Sequence, residues 1–177
     1  METWRSALLT GILVVAVVSD VRRRRIPNLL TFPSLAMGLF LGTVEAGWAG
    51  LGTSLLGALL GAGLLFLPFA LGGIGAGDVK LMAVVGAFGG PSLAVQAFLT
   101  GAIFGGVGSA FLLWRAGRLW STLRTVLWDC VALVAPAMPF LRLPQRSAGE
   151  KGGVPTTLPY GVAIALGTLV ARFWLAR

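Results

Sequence analysis

The chain has 177 residues, of which 56% are hydrophobic and only 11% charged, and its mean hydropathy is +0.89. A soluble domain carries about twice that charged fraction, so this composition excludes an ordinary water-covered surface and points to the bilayer as solvent. The formal charge of +8 falls mostly between apolar runs; that is the pattern of membrane-loop charge, with no separate basic domain to bind nucleic acid. There is one cysteine, Cys130, and no histidine, which removes intrachain disulfides, Cys/His zinc sites and histidine acid–base chemistry. Residues 1–177 are expected to form a single integral membrane domain, because the polar stretches are too short to fold alone.

The first apolar run, Ala7 to Val18, is followed by Ser19, Asp20 and the block Arg22 to Arg25. Positive charge after the run predicts a retained anchor whose C-terminal end is inside. A second run opens at Ile26-Pro27-Asn28 and reaches about Val44. Pro27 suits a first helical turn, where its missing N–H is not needed. Glu45 and Trp48 mark the outer interface, and Leu51 to Leu71 is an uncharged third run long enough to span. The glycine-rich stretch from Gly72 to Gly77 predicts a turn or loop before Asp78. A short fourth run, Val79 to Phe88, is broken by Gly89-Gly90-Pro91; a fifth covers Ser92 to Trp114, and the last covers Leu158 to about Leu175.

These runs predict an all-α polytopic membrane protein with about six transmembrane helices. Residues 115–134 place Arg118, Ser121, Thr122, Thr125 and Asp129 on one helical face, the pattern of a cytoplasmic interfacial helix. Cys130 to Leu141, interrupted by Pro136 and Pro139, is expected to be re-entrant or interfacial. With both termini outside, eleven basic residues fall on the inner side and three on the outer, an asymmetry that fixes the orientation.

Of the six acids, only Asp20 and Asp78 abut membrane runs at their cytoplasmic ends. A carboxylate there is costly unless it faces water or a partner. Asp20 ends the first helix as it arrives inside, and Asp78 begins the fourth as it leaves. Topology therefore brings them to one side of the membrane. Two adjoining carboxylates can share one proton, the ionised one activating water and the protonated one polarising a carbonyl. The fourth run is short, about 18 Å against a hydrocarbon core of about 30 Å, which recesses the pair below the cytoplasmic surface. Gly75 and Gly77 are expected to let substrate backbone approach and to let Asp78 swing toward Asp20. Lys80 is expected to bind substrate, tune Asp78 or snorkel to the interface, and Arg24 is a candidate i+4 partner of Asp20. Paired carboxylates that bind a proton or cation in a non-enzymatic membrane transporter or assembly subunit are the alternative.

Asp20 followed five residues later by Ile26-Pro27-Asn28 resembles the first-aspartate motif of type IV prepilin peptidases. Gly75-Ala76-Gly77-Asp78-Val79-Lys80 is similar to their Gly-x-Gly-Asp motif with its following lysine, and Leu158-Pro159-Tyr160-Gly161 to their C-terminal Pro-aromatic-Gly element. The resemblance implies a membrane aspartic endopeptidase of the bacterial inner membrane. Asp20 and Asp78 would be catalytic, and Pro27, Asn28, Gly75, Gly77 and Lys80 would shape the site or bind substrate, with no cofactor and no metal. The substrates it implies are prepilins, cut after glycine at the cytoplasmic face, with no nucleic-acid partner and membrane lipid around the spans. Bifunctional members carry an insert with paired Cys-x-x-Cys zinc ligands and also N-methylate the new terminus. With its one cysteine, this chain resembles the short, peptidase-only branch serving tight-adherence (Flp-type) pili.

Overall fold

The computed structural model describes residues 3–23, 25–70, 73–117, 120–122, 124 and 160–175. The long helices among the described residues are α1 Thr3–Arg23, α2 Asn28–Ala70, α3 Ala76–Arg115 and α4 Tyr160–Leu175. No strand occurs among the described residues. α1, α2 and α3 are each long and apolar enough to cross a membrane, and α4 is a shorter apolar helix. The fold is all-α and polytopic, as the composition demands.

Two backbone breaks subdivide the long helices. In α2 the break falls at Ala46 and Gly47, where Gly47 has φ 57°; in α3 it falls at Gly90, φ 72°. Both glycines occupy the left-handed region that side chains avoid. With these breaks, α1 to α4 comprise six helical segments. Their boundaries differ from the runs in three places.

α1 extends from residue 3 to 23, well beyond the apolar core of 7–18, because its polar ends find partners. Arg5 is buried and pairs with Glu45, while Ser6 O accepts from Arg172 Nη1 at 2.8 Å. By helical rise α1 is about 31 Å long. Asp20 consequently lies inside the last turn and not at the helix end. α2 starts at Asn28, one residue after Pro27, whose carbonyl accepts from Leu30 N at 3.0 Å and Thr31 N at 3.3 Å. Pro27 is thus the N-cap, just outside the first turn where the sequence had put it. α3 starts at Ala76, three residues ahead of the expected Val79, for a reason described with the site below.

Residues 1–106 and 158–177 form one compact unit. Its core is the first part of α3: every residue from Leu81 to Phe88 is buried. This segment, 76–89, is only about 21 Å long. A short helix is tolerated at membrane depth when protein covers it on all sides. The cover is close because glycines remove side chains from the contacts. A Cβ at Gly86 would collide with the carbonyl of Gly57 in α2, and one at Gly61 with the carbonyl of Met82. α4 meets α3 in the same way: a Cβ at Gly167 would strike Gly101 N, and Thr100 Oγ1 donates to Gly167 O at 2.8 Å. Close backbone approach through small residues is the usual means of helix association in lipid.

The far end of the short segment is closed by a charged group. Gly90 turns the chain out of the helix and Pro91 has no N–H, so the carbonyl of Ala87 lacks its i+4 donor. Arg5 Nη2 supplies one at 3.2 Å while Nη1 holds Glu45. A guanidinium also complements the negative end of the helix.

The other compact unit is residues 107–157. Its described part is the end of α3, closed at Gly117 (φ 66°) with Ala116 N donating to Leu112 O and Gly117 N to Trp114 O, both at 3.0 Å. Residues 120–122 and 124 are helical. The remainder of the expected interfacial helix, with Asp129, and the 130–141 segment lie outside the described residues.

Candidate active site

One end of the first compact unit gathers the C-terminal end of α1 and the N-terminal ends of α2, α3 and α4. The short connection between α1 and α2 is tied back by Ser19 Oγ, which donates to Arg25 O at 3.0 Å. It presents Ile26 to the start of α3: a Cβ at Gly77 would lie 3.1 Å from Ile26 Cβ. Gly77 is therefore the contact on which the two helix starts close. It lies within the first turn of α3, where the sequence suggested a loop.

Asp78 is the third residue of α3 and is 8% exposed. Its backbone N–H donates to Gly75 O at 3.1 Å, and its Oδ2 accepts from Gly75 N at 3.1 Å. Gly75 is thus the N-cap and Asp78 reaches back from the N3 position. This is the acidic half of a capping box. The exchange draws Ala76 and Gly77 into the helix despite their glycine-rich setting, and it fixes the Asp78 carboxylate instead of leaving it free to swing. The orphan N–H groups of the first turn and the positive end of the helix dipole favour an acid at this position.

Asp20 is equally buried, at 8% exposed. Its Oδ2 accepts from Gly161 N, in the first turn of α4, at 3.2 Å. Asp20 and Asp78 are close enough for their charges to interact, and the phenol of Tyr160 is within electrostatic range of Asp78. α1, α3 and α4 therefore converge on two carboxylates, one from α1 and one from α3. Among the described residues, the hydrogen bond to each carboxylate falls on Oδ2. Arg22, Arg23 and Arg25 are exposed and none pairs with Asp20; Arg24 lies outside the described residues.

Lys80 does not reach the acids. Its Nζ donates to Asn28 Oδ1 at 2.8 Å and lies 5.2 Å from the Phe32 ring centroid, where the cation faces the π system. Lys80 and Asn28, separately expected as site residues, thus form one exposed link between α3 and α2 at the rim. Residue spacing alone gives no role to Tyr160 or Gly161. A signal is present, since a Pro-aromatic-Gly turn opening a helix offers free N–H groups, but nothing in the sequence says which acid they meet.

The sequence of the chain matches known proteins. The model of the Type IV leader peptidase family matches residues 7–110, which include both acids. The chain is 34% identical over 116 residues to the prepilin leader peptidase/N-methyltransferase of Bacillus subtilis (strain 168), covering 59% of this chain and 44% of that protein. Proteins of the same name from Aeromonas salmonicida (strain A449) and Pectobacterium carotovorum subsp. carotovorum are 35% identical over 114 residues and 32% identical over 129 residues. These alignments cover 58% and 67% of this chain and 39% and 44% of those proteins. The chain spans about two fifths of the length of the curated relatives it matches. No solved structure matches it. With more than half of its residues matched by the family's model, the chain belongs to the type IV leader peptidase family.

Proposed function

We propose that the chain is an aspartic endopeptidase that removes the basic leader from type IV prepilins, with Asp20 and Asp78 as the catalytic pair. The observation that carries this reading is the convergence of two buried carboxylates, from helices remote in sequence, at one end of the bundle. One proton is shared between them. The ionised carboxylate takes a proton from water as the water attacks the scissile carbonyl, and the protonated one donates to the carbonyl oxygen. Collapse of the tetrahedral intermediate breaks the C–N bond, and the proton taken from water passes to the leaving amine. The backbone donors at Gly75 and Gly161 hold one oxygen of each acid through the cycle. The exposed arginines after Asp20 orient the site to the cytoplasmic face of a bacterial inner membrane. The substrates proposed are Flp-like prepilins, cut after glycine. Methyl transfer is not proposed, because the sequence holds a single cysteine and no Cys-x-x-Cys pairs.

Co-expression with a candidate Flp-type prepilin, followed by N-terminal sequencing and mass measurement of the product, tests the reading. A product that begins after the leader's glycine and carries no added methyl group is expected. Uncut prepilin would remove the peptidase assignment, and a methylated terminus would remove the single-activity one.

A further inference from the structure

The buried contact between α4 and Asp20 joins a catalytic carboxylate to a helix that carries neither acid. Gly161 is the second residue of α4, so its N–H has no partner within the helix. That N–H meets Asp20 Oδ2 at 3.2 Å across 141 residues of sequence, and the bond is buried. The site tolerates no side chain here: a Cβ at Gly161 would lie 2.8 Å from Asp20 Oδ2 and 3.4 Å from Cγ. The atom it would displace is the carboxylate end of Asp20, a side-chain group and not backbone. The corresponding contact at the other acid is looser, since a Cβ at Gly75 would be 3.4 Å from Asp78 Oδ2, an ordinary separation.

We infer that Gly161 is a positioning residue for Asp20: its N–H pins Oδ2, which turns Oδ1 toward Asp78 and the substrate, and its missing side chain leaves room for the carboxylate. The inference rests on the aspartic peptidase reading and deepens it. α4 thereby becomes a third structural component of the site, beside the helices that carry the acids. Its first turn does for Asp20 what the turn of Gly75 does for Asp78. Each acid is held through one oxygen by a glycine N–H at a helix start. The arrangement also counters the placement of Asp20 near the negative end of α1, because the positive end of α4 faces the same carboxylate. α4 is anchored for this task at its far end, where Arg172 Nη1 bonds Ser6 O and Thr10 Oγ1 of α1 at 2.8 and 2.9 Å.

The test is Gly161→Ala, compared with Gly11→Ala, a glycine on α1 where an added methyl group would meet nothing within 4 Å. Both purified variants are assayed for cleavage of a synthetic prepilin and for thermal unfolding in detergent. Infrared spectra with isotope-labelled aspartate are recorded alongside, and the Asp20 band is identified by its loss in Asp20→Asn. Gly161→Ala should unfold near the wild-type temperature and shift the Asp20 carboxyl band. Its kcat should fall by about tenfold to a hundredfold, the usual cost of a displaced catalytic group, with KM within about twofold. Gly11→Ala should change none of these. An unmoved Asp20 band, or a moved band with unchanged kcat, overturns the inference. Lost stability in place of a shifted band also overturns it, by making the contact structural alone. A wild-type chain that cleaves nothing overturns the underlying reading too. That failure is recognised in the unmutated control, before any Gly161 result is considered.

Discussion

Arg5 is the clearest point at which the far end of the bundle can be perturbed without touching the acids. Its side chain is 9% exposed and pairs with Glu45, which is 35% exposed, while its second terminal nitrogen serves the Ala87 carbonyl. Arg5→Met keeps much of the aliphatic volume and removes both functions. Breaking a fully buried pair costs about 3–5 kcal/mol. Glu45 keeps part of its access to solvent and can rehydrate, which lowers that share to about 1–2 kcal/mol. Pro91 gives the Ala87 carbonyl no i+4 donor, and losing the Arg5 bond adds about 1–3 kcal/mol. The expected loss is therefore about 2–5 kcal/mol. Equilibrium denaturation in detergent, followed through the six tryptophans, measures it. Arg5→Met combined with Glu45→Leu should recover the pair's share but not the carbonyl's, a coupling of about 1–2 kcal/mol. A single-variant loss below about 0.5 kcal/mol would refute the role given to Arg5 in closing the short helix.

Three further outcomes follow from particular contacts. Gly86→Ala drives a methyl group into the Gly57 backbone and should cost about 1–3 kcal/mol by overpacking, whereas Gly52→Ala, with nothing within 4 Å, should be neutral or stabilising by up to about 1 kcal/mol; the same denaturation assay compares them, and equal effects would contradict the close helix approach. Gly77→Ala presses on Ile26 and should lower prepilin cleavage by about tenfold, a barrier change of about 1.4 kcal/mol. Gly75→Ala keeps the N–H that holds Asp78 and should stay within about threefold of wild type; the reverse order in a cleavage assay would show that Gly75, not Gly77, needs its missing side chain. A single cysteine introduced at Arg25, with Cys130 removed, should be shielded from an impermeant thiol reagent in intact cells, and one at Trp48 should react; inverted labelling would put the acids on the other side of the membrane.

Much of the fold was legible in the sequence because the apolar runs and their breakers report directly on helices. Gly89-Gly90-Pro91 marked the break in α3, and the gap between Val44 and Leu51 contained the break in α2. The ends were less legible. α1 gains residues at both termini because Arg5 and Asp20 find partners in other helices, which no local pattern encodes. Asp78 was visible as an acid at a helix start, yet the reciprocal bond with Gly75 that lengthens α3 depends on side-chain direction. The two acids could be put on one side of the membrane by counting spans. That Gly161 would meet Asp20, and that Lys80 would turn away to Asn28, depends on how four helix ends pack, and single-chain spacing carries no signal for that.

The central claim is that Asp20 and Asp78 together hydrolyse the leader bond. Cleavage of a purified Flp-type prepilin by wild type, Asp20→Asn and Asp78→Asn, each reconstituted at matched amounts in lipid, tests it most directly. Asparagine is nearly isosteric but cannot exchange the proton that the paired mechanism requires. Both variants should insert and unfold like wild type and release no leader on the wild-type timescale. Near-normal leader release by either one would contradict the account.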